Sequence, residues 1–232
     1  MKKLTLLAIA AAAMALLVVP AMASAAGWDI DPENGKFPLN FTSSGGPAKL
    51  TTSLGSVSCT GNTGNGSYEN ATTGTLTQTF NGCTDVFGGE CKSGTTAGQI
   101  VTFTLPFHNI MIENTGSPSP YANGTMGVLI TPSVTTGDYA TFTCKNLGLV
   151  TVTGNGLIGD VSSPECGTGF SNTATLKFEV VSSKQKWMTE ETGATNKTEY
   201  DLKADLLGST VTAGQEAEGK VIYTGNAKPT CP

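Results

Sequence analysis

The stretch Thr73-Gly74-Thr75-Leu76-Thr77-Gln78-Thr79-Phe80 alternates with a period of two. That puts its threonines on one face of a strand and Leu76 and Phe80 on the other. The same habit recurs along the chain. Residues 101–105 gather Val101, Phe103 and Leu105 opposite two threonines, and 173–181 alternates while turning charge outward. Further strands are expected at 37–42, 48–53, 56–60, 108–113, 126–131, 139–144, 149–153, 157–161, 200–205 and 220–224, most of which carry the β-branched residues that suit a pleated surface. Gly, Asn, Ser and Pro clusters at 61–66, 114–124, 154–156 and 193–196 read as the breaks between them. No stretch sustains a helical period, although 190–207 is ambiguous. Many short strands at close spacing predict an all-β fold, an antiparallel sandwich or a barrel-like arrangement.

Such strands need apolar residues only at alternate positions, which matters because the chain has few to spare. Residues 1–25 have the order of a secretory signal: Lys2 and Lys3, an apolar run from Leu4 to Val19, then small residues around Ala21, Ala23 and Ala25. Beyond it, Leu, Ile, Val and Phe make up about 20% of residues, at the border of what a packed core needs. Charge is low as well. Without Lys2 and Lys3 the balance is 11 Lys against 18 Asp and Glu, a net of −7, and the sequence has no Arg. An acidic chain without the bidentate guanidinium fork is a poor nucleic-acid binder. No later apolar run has membrane length, so no transmembrane anchor is expected in the mature chain.

Residues 26–232 are expected to form one all-β domain. The alternative is a more highly charged C-terminal subdomain over 177–232, because about 15 of the 29 charges of the mature chain fall there. Six cysteines in an exported chain read as a three-disulfide, stapled fold. Cys83 and Cys91 bracket a short Gly-containing loop and suggest a local clasp. Cys59 and Cys144 end similar strands and suggest a second bridge, which leaves Cys166 for Cys231. The competing arrangement joins Cys59 to Cys83 and Cys144 to Cys166.

One group of proteins shares this order of elements. Val57-Ser58-Cys59, Thr72-Thr73-Gly74-Thr75-Leu76-Thr77, Phe80-Asn81-Gly82-Cys83, Cys91-Lys92-Ser93-Gly94, Gly98-Gln99-Ile100, Leu105-Pro106-Phe107, Phe142-Thr143-Cys144 and Val150-Thr151-Val152-Thr153-Gly154 follow one another. Over about residues 50–160 the chain resembles a group of uncharacterised secreted, Cys-containing β-rich proteins of actinobacteria. The resemblance implies an exported β-rich fold with Cys83–Cys91 and Cys59–Cys144 as bridges, and it implies no activity. Cys166 and Cys231 fall outside it.

A catalytic set is hard to assemble from these residues. Nucleophilic catalysis needs a base beside the nucleophile. The single histidine, His108, sits in an expected strand, and no G-x-S-x-G elbow occurs. A glycosidase would need two convergent carboxylates, for which Glu113, Asp138, Asp160 and Glu165 are the candidates. Asp29, Asp31 and Glu33 alternate as calcium ligands do, but Asn34 occupies the sixth place, where such loops need Gly. No nucleotide-cradling glycine motif is present, and no cofactor is expected. The aromatic residues of polar loops, Tyr68 and Tyr121, are the expected ligand contacts.

Together these features favour a non-catalytic secreted or envelope-associated β protein that binds an extracellular ligand or surface. A structural subunit of a fibre or coat, self-assembling through a donated segment at 27–41, is the second reading. A secreted hydrolase is the third.

Overall fold

The long final strand pairs along its length with four others, and this closes the sheet on itself. The computed structural model describes residues 27–112, 125–191 and 197–231, with backbone only at 190, 191 and 197. Its strands in chain order are β1 (Asp29–Pro32), β2 (Leu39–Thr52), β3 (Gly55–Cys59), β4 (Gly61–Tyr68), β5 (Thr73–Asn81), β6 (Thr84–Asp85) and β7 (Cys91–Lys92). Next come β8 (Ile100–Val101), β9 (Leu105–Ile112), β10 (Thr125–Ile130), β11 (Ala140–Cys144), β12 (Gly148–Gly154), β13 (Leu157–Ser163) and β14 (Ser171–Phe178). The last are β15 (Val180–Val181), β16 (Lys184–Gln185), β17 (Thr189–Glu191), β18 (Lys197–Glu199), β19 (Leu202–Leu206) and β20 (Ser209–Thr230). The described residues contain no helix, so the expected all-β class is what the chain adopts.

Eight strands form one closed antiparallel circuit in the order β2, β4, β5, β9, β10, β13, β14, β20 and back to β2. A second circuit, also of eight strands but mostly shorter ones, runs β2, β3, β6, across the Thr84–Glu90 bridge to β7, then β11, β12, β19 and β20. The two circuits share β2 and β20. They separate at an irregularity between Gly45 and Ala48, where β2 exchanges β4 for β3 as its neighbour. Pro47 lies in that irregularity, where its missing N–H breaks no ladder. Strand β20 alternates inward and outward for its whole length, so short residues such as Ala213, Ala217 and Gly219 line the interior where larger side chains arrive from opposite.

The interior is packed from its ends. At one end Phe41, Tyr68, Phe107 and Tyr223 meet edge to face, with Tyr68 and Phe107 centroids 4.8 Å apart. The indole N–H of the buried Trp28 donates to the Gly127 carbonyl at 2.8 Å. At the other end two disulfides sit in the core. Strands β9, β10 and β13 carry apolar residues on both faces. Their outer face carries Ile110, Ile112, Leu129 and Ile158, against which Trp187 and Tyr200 pack.

Several expectations need correction. Residues 61–66 are not a turn but most of β4. Gly66 is needed there because a Cβ would strike the Phe41 ring. Residues 37–42 and 48–53 are not separate strands, since β2 runs through both. The expected strand over 101–105 is broken at Thr102–Thr104. There the Thr102 hydroxyl accepts the Gln78 N–H at 2.9 Å, and the Phe103 N–H turns to the Tyr139 carbonyl at 3.0 Å. The described part of 190–207 is strand except for Tyr200, Asp201 and the turn residue Leu207.

The expected Cys83–Cys91 and Cys59–Cys144 bridges do not form. Cys59 is bonded to Cys83 and Cys91 to Cys144, while Cys166 and Cys231 pair as expected. Pairing of β3 with β6 puts Cys83 beside Cys59, and in the β7–β11 ladder Cys91 lies directly opposite Cys144. Cys83 and Cys91 are indeed neighbours, but through backbone: the Cys91 N–H donates to the Cys83 carbonyl at 3.0 Å. The charged final quarter does not stand apart as strand partners, because β20 pairs with β1, β2, β14 and β19.

Candidate functional site

Where the two circuits separate, the side chains stop short of filling the interior. A cavity of about 140 Å³ remains, lined by inward-facing apolar residues that include Leu76, Phe80, Leu157, Leu176, Phe178 and Val221. These six are only partly buried, although they point inward and pack on the core. A volume of this size left unpacked costs about 3 kcal/mol at ~24 cal/mol per Å³. For a chain with so few large apolar residues that is a considerable cost, and it marks the cavity as the first place to look for function.

One wall is polar. Ser43 from β2, Asn62 from β4 and Gln78 from β5 face into the cavity, and they form a hydrogen-bonded chain. The Ser43 hydroxyl donates to Gln78 Oε1 at 3.2 Å, Gln78 Nε2 donates to Asn62 Oδ1 at 2.7 Å, and Asn62 Nδ2 donates to the Gly46 carbonyl at 3.0 Å. Glycines make the room. A Cβ on Gly64 would collide with Gln78 Oε1 and come within 2.7 Å of Ser43 Oγ, and one on Gly45 would lie 2.6 Å from Asn62 Nδ2. Asn62 is 6% exposed, so its amide is held by this chain and not by bulk water. The sequence does carry a signal for Gln78, a polar residue on the apolar face of β5 between Leu76 and Phe80. Asn62 carries none, because the glycines around it in 61–66 have the composition of a turn.

The expected ligand contacts lie elsewhere. Tyr68 is not in a polar loop. It ends β4, is buried, and donates its hydroxyl to Asn109 Oδ1 at 3.0 Å. Burial holds its pKa well above the ordinary tyrosine value, and burial acts the same way on Tyr139 and Tyr223. Tyr68 is a core residue and cannot contact an external ligand. Tyr121 and Glu113 lie outside the described residues.

Asp29, Asp31 and Glu33 are not wrapped into a loop. Asp29 and Asp31 lie on the outer side of β1, which runs antiparallel to the end of β20. Asp31 faces Lys228 at 3.4 Å, and Glu33 accepts a hydrogen bond from Asn226 at 2.8 Å. Among the described residues the one gathering of three metal-ligating types is Asp85, Cys91 and Cys144. It does not fit a metal, because the two sulfurs are bonded to each other. The Asp85 carboxylate accepts from the N–H groups of Phe87, Gly89 and Asn146 and from the Asn146 side chain. Burial pushes its pKa up, but these hydrogen bonds together hold it below the usual carboxylate value.

His108 lies on β9, on the face opposite the inward Leu105 and Phe107, with Thr73 and Leu129 as cross-strand neighbours. Asp138 is in the loop before β11, and Glu165 caps a turn by accepting from Thr168 through its carbonyl. Asp160 sits on β13, where burial, then Glu179, raises its pKa. Its acidic neighbour among the described residues is therefore Glu179, not Asp138 or Glu165. No family model, curated protein or solved structure matches the chain. Among the described residues no helix is long and apolar enough to cross a membrane.

Proposed function

We propose that this chain is an exported, non-catalytic binding protein that holds one small, mostly apolar molecule inside its strand circuit. The observation that carries the reading is the 140 Å³ cavity at the junction of the two circuits, walled mostly by apolar side chains, with the hydrogen-bonded seam of Ser43, Gln78 and Asn62 along one wall. An eight-stranded closed sheet has an interior of the size that either fills with side chains or holds one small ligand. A cavity of ~150 Å³ lined by Leu, Ile and Phe accepts a molecule the size of benzene. The polar groups of the lining include hydroxyls (Ser43, Thr102) and carboxamides (Asn62, Gln78, Gln215), which suit recognition by hydrogen bonding and not proton transfer. Three disulfides suit an oxidising compartment, in keeping with the secretory signal read at residues 1–25. Segment 27–41 is already paired within its own chain, through β1 and the start of β2, which favours binding over fibre assembly.

The test is a toluene titration followed by methyl NMR. Saturable shifts are expected at Leu76, Ile130, Val152 and Leu157, and Leu176→Trp should abolish them while the near-UV circular dichroism stays native. A folded wild-type protein that shows no saturable shifts, or a Leu176→Trp variant that binds normally, refutes the reading.

A further inference from the structure

The polar seam has more hydrogen-bonding capacity than it uses. A carboxamide offers two N–H donors and an oxygen with two lone pairs. Among the described residues Gln78 uses one N–H, toward Asn62, and Asn62 uses one, toward the Gly46 carbonyl. Each amide oxygen accepts one side-chain hydrogen bond, Gln78 from Ser43 and Asn62 from Gln78. One donor and one acceptor site on each amide are left over, beside an apolar cavity.

Amides left short of their full hydrogen-bonding capacity in apolar surroundings are unfavourable compared with aliphatic side chains. The seam would be cheaper as leucine or valine if it served only to line a cavity. Gly45 and Gly64 instead clear the space for it, at the expense of side chains in the middle of two strands. Two independent features, unused valences and glycines placed to seat them, thus point to the same spot.

Resting on the binding reading above, we infer that Ser43, Asn62 and Gln78 form a head-group subsite for an uncharged amide or carbonyl carried on a small apolar body. The ligand oxygen accepts the spare N–H of Gln78 or Asn62, and a ligand N–H donates to a spare carboxamide lone pair. A charged head is excluded by the same geometry. The three seam residues are neutral, and the two charged residues bordering the cavity, Lys49 and Glu218, are exposed and of opposite sign. A carboxylate would lose its hydration without gaining a cation.

Toluene, benzamide and benzoate share one ring and differ in the head group, so they form the probe set. Dissociation constants are measured on the full mature chain, wild type and Gln78→Met, which keeps the side-chain length but removes the amide. Wild type is expected to bind benzamide at least tenfold more tightly than benzoate. Gln78→Met should lose about tenfold for benzamide, which is one hydrogen bond of about 1.4 kcal/mol, and hold or gain affinity for toluene. The side-chain amide resonances of Gln78 and Asn62 give a second readout that needs no variant, and they should shift saturably with benzamide but not with toluene.

If toluene binds while benzamide leaves those amide resonances unmoved, the subsite is refuted and the apolar cavity stands. The same holds if Gln78→Met weakens toluene and benzamide equally. If no ring compound binds the folded protein, the binding reading itself falls and takes the subsite with it.

Discussion

Asp85 and Asn146, 61 residues apart in the chain, are joined twice: the Asn146 backbone N–H reaches Asp85 Oδ2 at 3.0 Å, and its side-chain amide reaches Oδ1 at 3.1 Å. With the Phe87 and Gly89 N–H groups also on this carboxylate, the loop between β6 and β7 is tied to the β11–β12 turn. The tie lies beside the Cys91–Cys144 bridge, which joins the same two regions covalently.

Asp85→Ala would strand those donors in a buried site, and the expected loss is about 3 kcal/mol by urea denaturation at pH 7. Since the folded-state pKa lies below the unfolded value near 4, the stabilisation is complete above the unfolded pKa. It is lost as pH falls through the folded one. The gap between wild type and variant should therefore be constant at pH 5–8 and shrink below about pH 4. A gap unchanged at pH 3 would show that the charge of Asp85 contributes nothing.

Asp160 should behave in the opposite sense. Burial, then Glu179, raises its pKa, and its Oδ1 is buried without a hydrogen-bond donor. The folded state binds this proton more tightly than the unfolded state, so the residue opposes folding once pH rises past its unfolded pKa. Asp160→Asn is expected to melt above wild type at pH 7 and level with it near pH 3. A variant that melts lower at pH 7 would mean that the carboxylate has a stabilising role.

Tyr68→Phe tests the corrected position of that ring. It keeps the contacts with Phe107 and removes the one hydroxyl that, among the described residues, donates to Asn109 Oδ1, leaving a buried acceptor unpaired. A loss of about 1–3 kcal/mol is expected. A surface tyrosine would lose nothing, so an unchanged melting temperature would place the ring outside the core.

Enlarging side chains separates cavity from packed core. Leu176→Phe grows into the unfilled volume and is expected to be neutral or to raise stability by about 1 kcal/mol. Leu129→Phe has no such space, since Leu129 is 0% exposed on the outer face of β10, and a loss of roughly 1–3 kcal/mol is expected. Equal losses at both sites in thermal melts would mean that the interior around Leu176 is already full.

What the sequence disclosed followed from period, and what it hid followed from composition. The alternation through Leu76 and Phe80 was readable because threonine and apolar residues differ sharply in where they settle. Strand β4 was not, because Gly61, Gly64 and Gly66 look like turn residues unless one knows which rings and amides fill the space they leave. Missing β4 displaced Tyr68 to the surface and hid Asn62 altogether. The cysteines show a related limit. Cys83 and Cys91 are near each other in space, as their spacing suggested, but ladder register and not proximity along the chain decided which sulfurs face one another. The cavity had no local signature, because it is formed by residues from opposite walls that share no stretch of sequence.

Strand β20 belongs to both circuits and is the last strand described. Neither ring can close until that strand has arrived. Its partners begin at Asp29, so closure joins segments separated by most of the chain, a topology in which loop entropy is lost before the contacts that reward it are made. Until then the chain exposes the open edges of β2 and β14, both able to pair with a neighbouring molecule. The period of greatest aggregation risk for this protein therefore ends with the docking of residues 209–230.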